Sequence, residues 1–156
     1  MGNLIDVVPI VAILAKYVAL VIASLILGVL MIVARWKIFE KAGEPGWKSI
    51  IPIYSEYVYC RIVWEVETFW KILLYSFGIV ALEVLTVVFP ILALFSAVGT
   101  IVLSIMTLVL EIKLYARTAH SFGYGNAFAV GLVFLPYVFF LILAFNNSKY
   151  CGPSDY

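Results

Sequence analysis

One carboxylate, Glu83, stands inside an apolar stretch, "SFGIVALEVLTVVFP", from Ser76 to Pro90. It follows Lys71 by 12 residues, roughly 18 Å along a helix. That depth falls well inside a hydrocarbon layer about 30 Å thick. An ionisable group there is costly and marks either a transport path or a polar lock between helices. Hydroxyl residues accompany it: Thr86 on the same stretch, then Thr100, Ser104 and Thr107 on the next. Small and hydroxyl side chains at spacings of three and four let helices approach and hydrogen-bond across their seam. If Lys71 and Lys113 mark one membrane level, antiparallel pairing sets Glu83 opposite position 101, between Thr100 and Ser104. Two chemistries follow. A neutral carboxyl donates to one of these hydroxyls and locks the helices, or the group binds a cation or exchanges a proton during transport.

Other reactive types are sparse. The single histidine, His120, falls in the same region as Cys60. A thiol–imidazole pair could carry acyl transfer, but no third residue accompanies it to orient the base. Cys60 and Cys151 have no metal-ligand or redox spacing. There is no His-Glu-x-x-His and no phosphate-binding Gly-x-x-x-x-Gly-Lys loop. The "FGYG" of Phe122–Gly125 is a two-glycine turn built on Gly123 and Gly125. The expectation is a non-enzymatic chain with no metal and no cofactor. A net charge of +1 supplies no field for nucleic acid.

What positions these residues follows from composition. Of the 156 residues, 65% are hydrophobic and 12% charged, and the mean hydropathy is +1.14. Soluble domains run nearer about 45–50% apolar and about 25% charged. A chain this short cannot hide the excess in one core, so lipid is its solvent. Four stretches are long enough to span, at about 8–34, 69–89, 91–116 and 127–145, within one transmembrane domain over 1–156. Pro90 sets a tight hairpin between the second and third. Gly28 and Ser24 offer a close-packing pair on the first, and Pro136 is expected to kink the fourth. Lys16 reaches the outer interface by snorkelling, and Glu111 pairs locally near Lys113.

Basic residues collect on the cytoplasmic side of bilayers. Arg35, Lys37, Lys41, Lys48, Arg61 and Lys71 lie between spans one and two, and Lys113 and Arg117 lie between three and four. Both links are therefore expected inside and both termini outside, with Asp6 on the outer side. That arrangement puts Cys60 and Cys151 on opposite faces.

The link "WKIFEKAGEPGWKSIIPIYSEYVYCRIVW", Trp36–Trp64, is charged and aromatic. Gly43 terminates the first helix, and Pro45 and Gly46 make a turn. Trp47, Ile50, Ile51, Tyr54 and Val58 recur on one helical face, with Lys48, Ser49, Ser55, Glu56 and Tyr59 on the other. Pro52 splits the segment into two parts. The pattern predicts an amphipathic interfacial helix over 43–64, apolar face down in the bilayer surface. Trp36, Lys37, Phe39, Lys41, Trp47, Lys48, Ile51, Tyr54 and Trp64 are then the residues that touch lipid or a partner protein.

This stretch, with Phe122, Gly123, Gly125, Gly131, Leu132 and Pro136, resembles an uncharacterised family of small bacterial multi-pass membrane proteins. The shared pattern is Trp-Lys-x-Phe-x-Lys-Ala-Gly-x-Pro-Gly-Trp from Trp36 to Trp47, then Ile-Pro-x-Tyr at Ile51–Tyr54. Ser55 stands where members usually carry asparagine. The resemblance implies a bacterial cytoplasmic-membrane protein. Together these readings give an all-α, integral membrane four-helix bundle with an interfacial helix after span one. Its expected role is that of a scaffold, accessory or assembly subunit binding lipid, itself or other membrane proteins. The alternative is a small oligomeric ion- or proton-coupled transporter centred on Glu83.

Overall fold

The structure is a computed structural model that describes residues 2–153, with side chains from Val11 onward. Asp6 and the predicted start of span one near Val8 fall outside the described side chains. Every element among the described residues is helical: α1 (Gly2–Lys41), a 3-10 turn (Gly46–Ile50), α2 (Pro52–Val63), α3 (Val66–Val88), a second 3-10 turn (Pro90–Leu92), α4 (Ala93–Ser121), α5 (Asn126–Phe134) and α6 (Pro136–Phe145). Among the described residues, three segments are long and apolar enough to cross a membrane: Val11–Lys41, Val66–Val88 and Pro90–Ser121.

Glycine and proline set the boundaries. α1 ends where Gly43 takes φ 78°, a conformation that costs other residues steric strain. There the Glu44 N–H donates to the Phe39 carbonyl at 2.9 Å and the Gly43 N–H to that of Glu40 at 3.1 Å. These two bonds satisfy carbonyls that the helix end would otherwise leave bare. α4 ends the same way at Gly123, φ 77°, with Tyr124 donating to Ala119 at 2.8 Å and Gly123 to His120 at 2.9 Å. Pro52 does divide the aromatic segment in two. It is the first residue of α2, where its missing N–H costs nothing.

α3 and α4 form the hairpin expected at Pro90. Their seam lies where Thr86 Oγ1 meets Ser96 Oγ at 2.5 Å, and where Gly78 and Gly99 face Leu103 and Leu82. The predicted fourth span departs most from expectation. α5 has 9 residues and α6 has 10, about 14 and 15 Å, so neither is long enough by itself to span a hydrocarbon layer of about 30 Å. Pro136 offers no N–H to the Leu132 carbonyl and cannot continue α5. Leu135 leaves the helical region at φ −133°, ψ 59°. The Phe139 ring then folds back against Gly131, where an added Cβ would lie 2.2 Å from it.

Both ends of this broken pair lie together. α5 begins just after α4 ends, and beyond α6 the Cys151 N–H donates to the Ser121 carbonyl at 2.7 Å. Tyr150 Oη donates to the Ile62 carbonyl at 2.6 Å. The segment after α6 therefore sits at the end of the molecule where α1, α2 and α4 finish, and α1 runs away from that end. The pair thus starts and finishes at the same end of the molecule. Cys151 accordingly lies at the same end as Cys60, not on an opposite face, and both are free thiols.

The packed core is also at that end. Ala34, Ile38, Phe39, Val58, Tyr59, Leu132, Phe140 and Leu143 are all buried there. At the far end the surface is apolar: Val11 to Val29 on α1, and Val87, Ile91 and Leu94 at the hairpin, are exposed. The polarity of α2 and its preceding turn is inverted relative to a water-facing helix. Ser49, Ser55 and Tyr59, read from sequence as the outward side, are buried, while Trp47, Ile50, Ile51 and Ile53 are exposed.

Candidate functional site

The inverted face of α2 assembles a polar centre that sequence reading did not single out. Arg35, near the end of α1, directs one guanidinium nitrogen, Nη1, at two residues of α2. It donates to Glu56 Oε1 and to Ser55 Oγ at 3.3 Å. The guanidinium also lies over the Tyr59 ring, 5.4 Å from its centroid. Tyr59 is fully enclosed and its hydroxyl sits 2.5 Å from Thr118 Oγ1. Thr118 donates onward to the Leu114 carbonyl at 2.7 Å, so Tyr59 is the donor in that chain. Burial drives the Tyr59 phenol far above its ordinary range, which keeps it a neutral donor. Glu111 on α4 lies within electrostatic range of Glu56.

Arg35 and Glu56 border a cavity of 730 Å³ between α1, the first 3-10 turn, α2 and α3, with Tyr137 of α6 at its edge. Its walls are chiefly apolar. Ser49 and Ser55 join the ion pair, Ser24 and Ser76 add hydroxyls, and Leu27, Gly28 and Leu73 are among the apolar wall residues. The volume is that of a small-molecule site, about 300–1,000 Å³.

A second set of contacts holds this end together. Lys41 Nζ donates to the Leu143 and Asn146 carbonyls at 2.5 and 2.7 Å, and to Asn146 Oδ1 at 3.1 Å. A cation at the bare carbonyls of a helix end offsets both their lost hydrogen bonds and the helix dipole. Lys41 therefore docks α6 onto α1; the sequence reading had it facing lipid or a partner. Glu44 accepts from Lys48 at 2.7 Å and from Arg61. The Lys48 hydrogen bond, with Arg61 alongside, holds its carboxyl below the usual range. Trp36 donates to Glu40 at 2.6 Å, Lys37 pairs with the same carboxylate, and the Trp36 indole covers Gly46. Phe39 is buried, and Arg117 lies 4.2 Å from the Trp64 ring centroid. Of the predicted contact set, Trp47 and Ile51 are exposed and Lys48 lies 5.9 Å from the Tyr54 centroid.

The predicted intramembrane cluster is only partly assembled. Thr86 is in the α3–α4 seam, but its partner is Ser96, not Glu83. Thr107 Oγ1 donates to the Leu103 carbonyl of its own helix at 2.9 Å. Thr100 is half-buried and Ser104 exposed. Glu83 itself is exposed on the outer side of α3 and makes no hydrogen bond or ion pair among the described residues. Thr86 lies beside Ser96 and Leu82 beside Gly99, so Leu82 and Thr86 occupy the seam and the intervening Glu83 turns outward. Cys60 is buried in α2, and desolvation pushes its thiol up to about 12, so it is not a thiolate at neutral pH. His120 meets Asn126 Oδ1 at 3.0 Å.

Arg35 and Glu56 were hidden by their neighbourhood, since both lie in charged sequence that reads as membrane-flanking. One signal pointed to them: Ser55, where the chain departs from the Ile-Pro-x-Tyr-Asn pattern, is an acceptor for Arg35. The chain belongs to a family of unknown function, DUF5684, whose profile matches residues 47–153. No curated protein and no solved structure matches it.

Proposed function

We propose that this member of the family is a non-enzymatic integral membrane subunit that assembles with a second membrane polypeptide along α3. One observation carries the reading: Glu83 stands on the outer face of a membrane-spanning helix, flanked by exposed Val80, Val84 and Val87. A carboxyl facing lipid costs several kcal/mol, and nothing within the described chain offsets that cost. A hydroxyl, amide or cation on a neighbouring helix supplies the missing partner, as polar side chains do across membrane seams. The uncovered length of α1 gives a second apolar face to the same assembly.

Nine of the ten basic residues, all but Lys16, belong to the end where the core is packed. By the positive-inside tendency that end is cytoplasmic, in the bacterial inner membrane that the sequence pattern implies. The first 3-10 turn and α2 then lie at the inner interface, with Trp47 and Ile50 toward lipid. The chain in this reading crosses three times, and α5–α6 is a re-entrant pair completing the bundle from inside. Ion- or proton-coupled transport remains a second reading because Glu83 faces outward, where only an oligomer could enclose it.

Photo-crosslinking in intact cells from position 80 or 87 tests the assembly. The expected product is a protein adduct of discrete mass, lost in Glu83→Leu and retained in Glu83→Gln. Adducts with lipid alone at both positions would overturn the reading. Proton or cation flux in liposomes that disappears in Glu83→Gln would instead establish transport.

A further inference from the structure

The cavity above the Arg35–Glu56 pair has a polar end, an apolar length and no role in the assembly just described. Its polar end lies between Arg35 near the end of α1 and Ser55 and Glu56 at the start of α2, which the membrane orientation proposed above, on which this inference rests, puts on the cytoplasmic side. From Arg35 its wall climbs α1 through Gly28 to Ser24, 11 residues or about 16 Å. Half of a hydrocarbon layer of about 30 Å is about 15 Å. The cavity is thus as deep as one leaflet, with its charges at headgroup level.

The charges specify the headgroup. A guanidinium carries five N–H donors, and both hydrogen bonds of Arg35 leave from Nη1. Nε and Nη2 make none among the described residues, in a fork geometry that suits phosphate oxygens. Glu56 accepts from Arg35 through Oε1 alone, its Oε2 takes no hydrogen bond among the described residues, and its side chain is 46% exposed. Acceptor capacity for a further cation is therefore left over beside the phosphate-competent donors. Adjacent positive and negative groups are complementary to a zwitterion whose phosphate and ammonium are a few bonds apart. The apolar walls exclude a purely water-soluble ligand, because they would strip it of hydration without return.

We propose that the cavity seats one amine-bearing zwitterionic phospholipid, its phosphate on Arg35, its ammonium on Glu56 and an acyl chain between α1 and α3. Gly28 provides a clean test. It lines the cavity, and a Cβ built there meets nothing within 4 Å. Gly28→Leu puts an apolar side chain into that open space and favours the helix.

The experiment is native mass spectrometry of the purified full chain in detergent, titrated with phosphatidylethanolamine, phosphatidylglycerol and soluble glycerophosphoethanolamine. The expected result is one bound phosphatidylethanolamine, retained about tenfold or more over phosphatidylglycerol, the scale of one charge-assisted hydrogen bond. Gly28→Leu loses both lipids with its helical content unchanged. Glu56→Gln keeps an acceptor for Arg35 but loses the preference for the amine. Equal retention of the two lipids by the natural chain would overturn the proposal, as would full retention in Gly28→Leu. Binding of the soluble headgroup as tight as that of the lipid would do so too.

Discussion

At the level of single residues, the string from Trp36 to Trp47 resolves into separate mechanical tasks. Gly43 takes a backbone conformation that ends α1, Lys41 caps α6, Phe39 fills the core and Gly46 lets the Trp36 indole lie against the chain. Gly43 was legible because a glycine after an apolar helix has one common use. The task of Lys41 was not, since its acceptors lie 102 and 105 residues away. Gly46 yields a direct prediction. A methyl group there would lie 2.2 Å from Trp36 Nε1, so Gly46→Ala must displace the indole and break its bond to Glu40. Overpacking of this kind costs about 1–3 kcal/mol. Thermal unfolding in detergent should show a lowered midpoint for Gly46→Ala and recovery in the double variant Trp36→Leu/Gly46→Ala. An unchanged midpoint in the single variant would refute the contact.

Among elements, hydropathy located the three long helices and their hairpin, because a run of about 20 apolar residues has few other uses. It could not locate the break in the fourth stretch. Residues on either side of Leu135 are equally apolar, so a spanning helix and two half-helices look alike to any hydropathy window. Pro136 signalled a disturbance, but its size depends on Gly131, which accepts the returning Phe139 ring. What the polar side of α2 packs against was not legible for a related reason. Periodicity tells which residues share a side, and only packing tells which side is inward. The prediction here concerns α5–α6. Gly131→Val should push Phe139 off its seat and loosen the pair, while Val130→Ala, at an exposed position, should not. Hydrogen exchange over residues 126–145 should rise in the first variant and stay level in the second. Equal protection in both would contradict the folded-back geometry.

For the molecule as a whole, polarity is distributed in reverse of a soluble domain: ion pairs and hydroxyls inside one end, bare apolar side chains over the other. That reversal follows from composition and was readable at once. The side on which the chain finishes was not. It depends on the hydrogen bonds from Cys151 and Tyr150 to Ser121 and Ile62, contacts between segments far apart in sequence. An even number of crossings places the two ends together, and an odd number separates them. The most direct test is labelling of single added cysteines, in intact cells, by a membrane-impermeant maleimide in a Cys60→Ser/Cys151→Ser background. One site is Gly2→Cys at the start of α1, and the other is Lys149→Cys after α6. Three crossings with a re-entrant pair predict labelling at position 2 in intact cells and at position 149 only after permeabilisation. Labelling at both positions in intact cells, or at neither, would show that the chain crosses an even number of times and contradict the account.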